Sequence, residues 1–171
     1  MKNSLFCLFV LSMFILGGCP KPTPAPTPIP TTYPNTFTID GGSFHNQVIP
    51  IKVVTSSNGQ NNANGQNYTQ IEIFGNSDTF TNIHIEIRFT GSSSGPYNFN
   101  IANEDYVSIA VTTQNNPNPI QYNSLDGTGS INVGSYGAVG GQISGSFHGK
   151  FDGNGTTYTI PSGAFSVTRA Q

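Results

Sequence analysis

The stretch TNIHIEIRF, residues 81–89, decides the fold class, because apolar and polar residues alternate along it. From position 83 to position 89 the odd-numbered residues are Ile, Ile, Ile and Phe, and the residues between them are His, Glu and Arg. Successive side chains of a β-strand point to opposite faces, so this alternation predicts a strand with one buried side and one solvent-facing side. Such a strand is typical of antiparallel sheets.

The same period of two recurs along the chain, whereas helical periodicity is almost absent. The other predicted strands are 37–40, 43–46, 49–55, 71–74, 106–113, 130–136, 142–151, 156–160 and 164–168. Turn signals such as Asp126-Gly127 separate them. About ten short strands predict an all-β fold: an antiparallel β-sandwich of about 8–10 short strands, with a closed antiparallel β-barrel as the alternative.

Three segments are predicted to lie outside the strands. SSNGQNNANGQN, 56–67, is predicted to be a mobile low-complexity loop, because it has no apolar residue larger than alanine. NPNP, 116–119, is predicted to be a loop because proline cannot donate to a sheet ladder. DGNGT, 152–156, lacks the further acidic ligands of a calcium loop and is predicted to be a hairpin turn.

The N-terminus carries Lys2 and then an apolar run, residues 5–16, which is too short to span a bilayer. A positive start, a short apolar run and small residues before a cut describe a secretory signal peptide, here residues 1–18. Leu16-Gly17-Gly18-Cys19 resembles the bacterial lipobox. That resemblance implies cleavage before Cys19 and acylation of its thiol, for example with palmitate.

Cysteine and proline usage extends this prediction. Cys7 lies inside the signal peptide, so the mature chain would keep only Cys19 and could form no intramolecular disulfide. Prolines then alternate with other residues, which favours an extended polyproline II path reaching roughly 45 Å. Residues 19–35 are therefore predicted to be the lipidated cysteine with a semi-rigid spacer, followed by an all-β domain, 36–171.

Charge limits the possible partners. The chain has 6 Lys or Arg against 8 Asp or Glu, and neither sign is clustered, so no nucleic-acid partner is expected. The expected partners are the membrane, through Cys19, and a glycan or another envelope protein. Pro20 follows the cysteine where some bacteria place an inner-membrane retention aspartate, so the outer membrane is favoured, at its periplasmic face or the cell surface.

No segment specifies a reaction, and a non-enzymatic protein without a cofactor is expected. The sequence holds no G-x-S-x-G elbow, and the histidines at 45, 84 and 148 lie opposite apolar positions in strand patterns. His84 and Glu86 would face the same way, but a zinc site usually needs three or four ligands, so no metal site is predicted. Glu104 and Asp105 are interpreted as a solvated loop pair.

Aromatic residues supply the sharpest binding hypothesis. Exported β domains often stack sugars on exposed rings, and the candidate surfaces are Tyr68, Tyr97, Tyr106 and Tyr122. Tyr136 and Tyr158 are further candidates, although each tyrosine also suits a half-buried packing role with a wet hydroxyl. The chain has no tryptophan, which is the commonest stacking residue at such sites.

The C-terminal segments GTGSINVGSY, QISGSFHGKF and YTIPSGAFSVT, with FTIDGGSF (37–44) and GPYNF (95–99), carry a family resemblance. They resemble a family of small bacterial envelope lipoproteins without established catalytic residues. The resemblance implies a lipid-anchored all-β domain and transfers only the role of Cys19. The expected function is a lipid-anchored cell-envelope protein presenting a non-enzymatic β domain with a binding or structural role. The alternative is a glycan-binding or glycan-processing accessory module.

Overall fold

The computed structural model describes residues 33–63 and 65–170. The predicted signal peptide 1–18, Cys19 and the spacer as far as residue 32 lie outside the described residues. Eleven strands occur in the described part: β1 (Thr36–Gly41), β2 (Phe44–Pro50), β3 (Lys52–Ala63), β4 (Gln66–Asn76), β5 (Asn82–Thr90), β6 (Gly95–Asn98), β7 (Tyr106–Thr113), β8 (Asn116–Ser124), β9 (Ser130–Tyr136), β10 (Gln142–Gly153) and β11 (Thr156–Thr168).

All strand pairs are antiparallel and belong to one sheet, which confirms the predicted all-β antiparallel class. The strand order is β2-β1-β11-β10-β8-β7-β5-β4-β3, and β9 pairs with β10 and β6 beside this path. The sheet curls into a half-barrel. The two end strands of this order, β2 and β3, are consecutive in the chain and are separated only by Ile51.

The concave side of the curled sheet holds the core. Ile83, Ile85, Ile87 and Phe89 of β5 are each at most 1% exposed. They pack with inward residues of the neighbouring strands, among them Ile73 on β4. Full burial of such a side chain stabilises the fold by about 1.5–3 kcal/mol, so the alternation in TNIHIEIRF supplies one dry face of the domain.

The segment 56–67 is not a loop, and this prediction was wrong. Strand β3 continues through Ala63 and pairs residue by residue with β4, from Ser56 opposite Ile73 to Ala63 opposite Gln66. Gly65 has a φ of 79°, which glycine adopts at little cost in a tight turn. Strand β3 is largely exposed, so backbone pairing rather than burial holds its polar residues.

Two proline segments also belong to strands. NPNP lies in β8 and not in the predicted loop. The β7–β8 register shifts within this segment, between the pairs Val111–Ile120 and Thr113–Asn116. The segments 156–160 and 164–168, predicted as separate strands, form the single strand β11 around Pro161. The register of β11 shifts there against both β1 and β10. Irregular pairing tolerates proline because the missing N–H is not needed at such positions.

The predicted turn at 152–156 is confirmed. Strand β10 ends at Gly153 and β11 begins at Thr156, and these two residues pair directly. Asn154 and Gly155 between them have φ angles of 53° and 79°, the positive values that a two-residue hairpin turn requires.

Two asparagine side chains bind backbone groups near the end of β11, one from the edge strand β3 and one from the residue before β1. Asn58 of β3 donates to the Thr168 carbonyl oxygen at 2.7 Å and accepts from the Ala170 N–H at 2.9 Å. Asn35, which is 3% exposed, donates to the Ser166 carbonyl and accepts from the Ser166 N–H. Each amide thus gives backbone groups near the end of β11 the partners that a neighbouring strand would provide.

Candidate functional site

The outer face of strands β4, β5 and β7 carries the chemistry of the domain. Glu72 and Glu86 lie directly opposite each other on β4 and β5, and Arg88 lies opposite Tyr106 on β7. These residues alternate with the buried residues of the same strands. Because successive side chains of a strand point to opposite faces, they lie on the outer face. Like charges opposite each other across a strand pair repel, which makes the surrounding partners important.

Arg88 is the centre of a charge network on this face. Its Nε donates to Glu86 Oε1 at 2.7 Å, and its second hydrogen bond reaches Glu104 Oε2 at 2.9 Å. Its guanidinium carbon lies 4.9 Å from the ring centre of Tyr68 and 5.1 Å from that of Tyr106. Burial by itself lowers the pKa of Arg88, but hydrogen bonds to Glu104 and Glu86 outweigh it and the pKa is raised. Arg88 is therefore a fixed cation held between two rings and two carboxylates.

Glu104 and Asp105 are not a solvated pair, and that interpretation was wrong. Glu104 follows a 3-10 turn, Ile101–Asn103, and has a φ of 60°. Its side chain is only 14% exposed and points to Arg88. Asp105 is 8% exposed and accepts hydrogen bonds from the Thr90 N–H at 2.6 Å and hydroxyl at 3.0 Å. Burial raises the pKa of Asp105, and the two Thr90 hydrogen bonds offset part of that shift.

Next to Arg88 the outer face holds a depression of about 180 Å³, here called the polar pocket. Its polar lining comes from Glu86, Tyr106, Ser108, Gln121 and Asn123. The Tyr106 hydroxyl donates to Glu86 at 3.4 Å, and Gln121 donates to both Ser108 and Asn123. Burial, followed by the Glu86 charge, raises the pKa of Tyr106, which keeps its hydroxyl a donor at neutral pH. Carboxylate, phenol, hydroxyl and amide groups thus converge on one small site.

A second depression, of about 290 Å³, adjoins the polar pocket and is here called the apolar groove. Its lining includes Val54, Phe74, His84, Ala110 and Pro119. The Phe74 and His84 rings stack at 4.3 Å with an angle of 6°, and Phe74 remains 37% exposed.

The two depressions run along the same strands. The outward pair His84–Ala110 in the groove is followed by the outward pair Glu86–Ser108 in the pocket. Two residues along a strand cover about 7 Å, so the groove and the pocket, which share no lining residue, lie next to each other on one face; together they are here called the outer track.

His84 and Glu86 do lie on the same face, but His84 is closest to a different acid. Its Nε2 lies 3.7 Å from Glu72 Oε1, and that nitrogen is buried without a hydrogen-bond partner among the described residues. Glu72 itself accepts from the Ser57 hydroxyl at 3.0 Å and the Gln70 amide at 3.3 Å. Within residues 33–63 and 65–170, no three His, Cys, Asp or Glu side chains converge as metal ligands.

The candidate tyrosines do not form one stacking surface. Tyr106 lies in the polar pocket, whereas Tyr68 is 7% exposed and covered by Arg88. Tyr97 is half-buried, packs on Phe89 and donates its hydroxyl to a backbone carbonyl at 2.8 Å. Of the four, only Tyr106 lines the outer track.

Tyr122 is 2% exposed in the core, so the prediction of an open stacking ring there was wrong. Its ring meets that of Tyr158 edge-on at 4.9 Å, and burial raises its pKa to about 12. The strand register explains the difference, because its neighbours Gln121 and Asn123 face outward and Tyr122 therefore faces the core.

Several residues of the site were not singled out from the sequence. Gln121 and Asn123 come from β8, and only the fold brings them to Glu86, as it brings Glu104, noted in the sequence only as part of a loop pair, to Arg88. Arg88 had a signal, since it follows Glu86 on the polar side of TNIHIEIRF.

No protein-family model, curated protein or solved structure matches this chain significantly. Among the described residues there is no helix that is long and apolar enough to cross a membrane.

Proposed function

We propose that this chain is a lipid-anchored protein of the bacterial cell envelope, and that its β domain binds a partner through the outer track without catalysing a reaction. The anchor rests on the Leu16-Gly17-Gly18-Cys19 motif, which stands at the end of a signal-peptide pattern. Two or more acyl chains on one cysteine give stable attachment, whereas one chain holds only marginally. The prolines after Cys19 suit a spacer between that anchor and the domain.

The anchor is tested by metabolic labelling with a palmitate analogue in a bacterial host that processes lipoproteins. We expect the wild-type chain to incorporate label and to sediment with outer-membrane vesicles on a density gradient. The variant Cys19→Ser should lose the label and leave the membrane fraction, whereas Cys7→Ser should behave as wild type. Equal labelling of wild type and Cys19→Ser would contradict the anchor.

The observation that carries the binding role is that the polar pocket and the apolar groove lie next to each other on one face of the sheet. Isolated polar residues are ordinary on a sheet surface, but here a carboxylate, a phenol and two amides converge beside an exposed aromatic ring. Binding sites typically combine a concave apolar wall with a few convergent polar groups. The outer track has both.

Binding is favoured over hydrolysis by the state of the carboxylates. Arg88 already engages Glu86 and Glu104 with charge-assisted hydrogen bonds. A glycoside hydrolase needs one free carboxyl as a proton donor and another as a base or nucleophile, and of the three glutamates on this face only Glu72 is not bonded to Arg88. Two carboxylates held by one guanidinium are better suited to orienting a ligand.

The ligand class we favour within this role is a glycan. Sugars offer hydroxyls to groups such as Glu86, Gln121 and Asn123, and an apolar C–H face to a ring such as Phe74. The groove and the pocket lie one after the other along the strands, so a chain of sugars would contact both.

A glycan array probed with the purified lipidated chain in detergent tests this proposal. Array signals should fall at least tenfold in Gln121→Ala and in Phe74→Ala. Matched controls are Asn132→Ala and Val48→Ala, which truncate exposed residues on β9 and β2 and should retain the signals. If no sugar on the array gives a signal, the partner is an envelope protein rather than a glycan. If the array signal falls equally in the test and the control variants, binding at the outer track is contradicted.

A further inference from the structure

The charges of the outer face do not balance. The three glutamates of the chain, Glu72, Glu86 and Glu104, all lie on this face, and Arg88 is the guanidinium among them. Three glutamates against one arginine leave two negative charges among these four side chains. Two further pairs carry opposite charges and leave this excess unchanged: Lys52 and Asp78, which form an ion pair at 2.7 Å, and Lys150 and Asp152 on strand β10.

The excess is concentrated at Glu72. Arg88 is already bonded to Glu86 and Glu104, at 2.7 and 2.9 Å. Among the described residues Glu72 has neither a lysine nor an arginine partner, and its hydrogen bonds come from the neutral donors of Ser57 and Gln70. Its side chain is 32% exposed, so a ligand can reach it.

Glu72 lies in a depression of its own with Ser57 and Gln70, at the margin of the outer track and beside the aromatic wall of the groove. Its Oε1 is 3.7 Å from Nε2 of His84, and the His84 ring stacks on Phe74. A protonated amine at Glu72 would thus be adjacent to the ring pair, with the apolar face of its carrier available to Phe74. An ammonium group next to a carboxylate and an aromatic ring gains from both contacts.

We propose that the outer track binds an amine-bearing saccharide of the glucosamine type, with Glu72 at the margin of the track as the counter-ion of the amine, and that it disfavours acidic sugars. This inference rests on the proposed glycan-binding function and deepens it. A carboxylate near the amine also favours the amine's protonated form, so the contact strengthens its own charge. A uronic acid at the same position would meet an unbalanced carboxylate and be repelled.

Three tetrasaccharides that differ in charge test the inference by isothermal titration calorimetry at pH 6.5 with the purified lipidated chain. They are a glucosamine tetramer, its N-acetylated counterpart and a galacturonate tetramer. We expect the glucosamine tetramer to bind at least tenfold more tightly than the N-acetylated one, and the galacturonate tetramer to bind weakest. Raising the salt from 50 to 500 mM should reduce the first preference, because the contact is partly exposed.

The variant Glu72→Gln keeps the size of the side chain and one acceptor oxygen, and circular dichroism checks its fold. It should bind the two glucosamine-based tetramers equally, whereas the control Asp152→Asn removes a charge outside the track and should keep the wild-type preference. If the N-acetylated tetramer binds as well as the amine, or the acid binds best, the amine inference is overturned and glycan binding stands. If none of the three binds while the array shows other sugars, the inference alone is overturned. If no sugar binds in either assay, the proposed glycan function fails with it.

Discussion

The two faces of strands β4, β5 and β7 differ completely although they share one backbone. On the inner face Ile73, Ile85 and Ile109 are at most 1% exposed and meet only other apolar side chains. One residue further along the same strands, Glu72 and Glu86 belong to a network of charges and hydrogen bonds. The inner face stabilises the fold by removing apolar area from water, while the outer face holds groups that can bind a ligand. Stability and recognition are therefore separated by the pleat of the sheet.

The largest effect is expected from the inner face. Ile85→Ala removes a fully buried side chain at the centre of β5, and such truncations destabilise by about 2–5 kcal/mol. Urea unfolding should show this loss without a change in glycan binding by the remaining folded protein. The outward neighbour His84→Ala should lose less than about 1 kcal/mol, and equal losses at the two positions would break the comparison.

A smaller loss of stability is expected at the centre of the outer network. Arg88→Met keeps much of the side-chain bulk between the two tyrosine rings but leaves Glu86 and Glu104 without their cation. Full burial would make such a loss severe, but these groups are 14–22% exposed, so we expect about 1–2 kcal/mol in urea unfolding. Lys150→Met, at an exposed cation on β10, is the control and should change stability little.

Asp105 is a buried acid at the margin of the two faces, so its contribution to stability depends on pH. Burial raises its pKa, so its ionised form costs stability at neutral pH, and the cost disappears as the pH falls below the unfolded value of about 3.9. Asp105→Asn keeps an oxygen acceptor for Thr90 without the charge. The gain in stability of this variant over wild type should be greatest at neutral pH and vanish near pH 3.

Thermal unfolding between pH 3 and pH 7 measures this difference. Asp105→Ala is the control, since it loses the acceptor and should be less stable than Asp105→Asn at every pH. A gain that grows toward acid pH would have the wrong sign for a raised pKa.

The smallest effect is expected at the ion pair of Lys52 and Asp78, whose Nζ and Oδ1 lie 2.7 Å apart. Both side chains are largely exposed, at 47% and 88%, and exposed pairs gain little over their hydrated ions. Lys52→Met and Asp78→Asn should therefore leave the unfolding midpoint unchanged within error. A marked shift would mean that outer-face charges matter to stability more broadly than the Arg88 network indicates.

The inner face was predictable because burial leaves a local trace in the sequence. The alternation of TNIHIEIRF and of YVSIAVTT (106–113) locates β5 within one residue and β7 without error. The strand through 56–63 left no such trace, because its polar side chains are held by pairing with β4 rather than by burial. Backbone pairing depends on a partner elsewhere in the chain, and composition does not report it.

The outer site was predictable only in part, for the same reason. Glu86 and His84 stood out within one strand, but Glu104, Gln121 and Asn123 join them through strand register and a loop conformation. The sequence does not reveal the register of each strand, so it does not distinguish exposed tyrosines from buried ones. A shift of one residue exchanges the faces of a strand, which separates an accessible Tyr106 from a buried Tyr122.

The central claim is that recognition is confined to the outer track. An amide NMR titration of the full lipidated chain in detergent micelles with the glucosamine tetramer tests it most directly. The account predicts shifts at His84, Glu86 and Tyr106, and unchanged signals along β9 and the β10–β11 hairpin. Shifts centred on that hairpin, or none at saturating sugar, would contradict it.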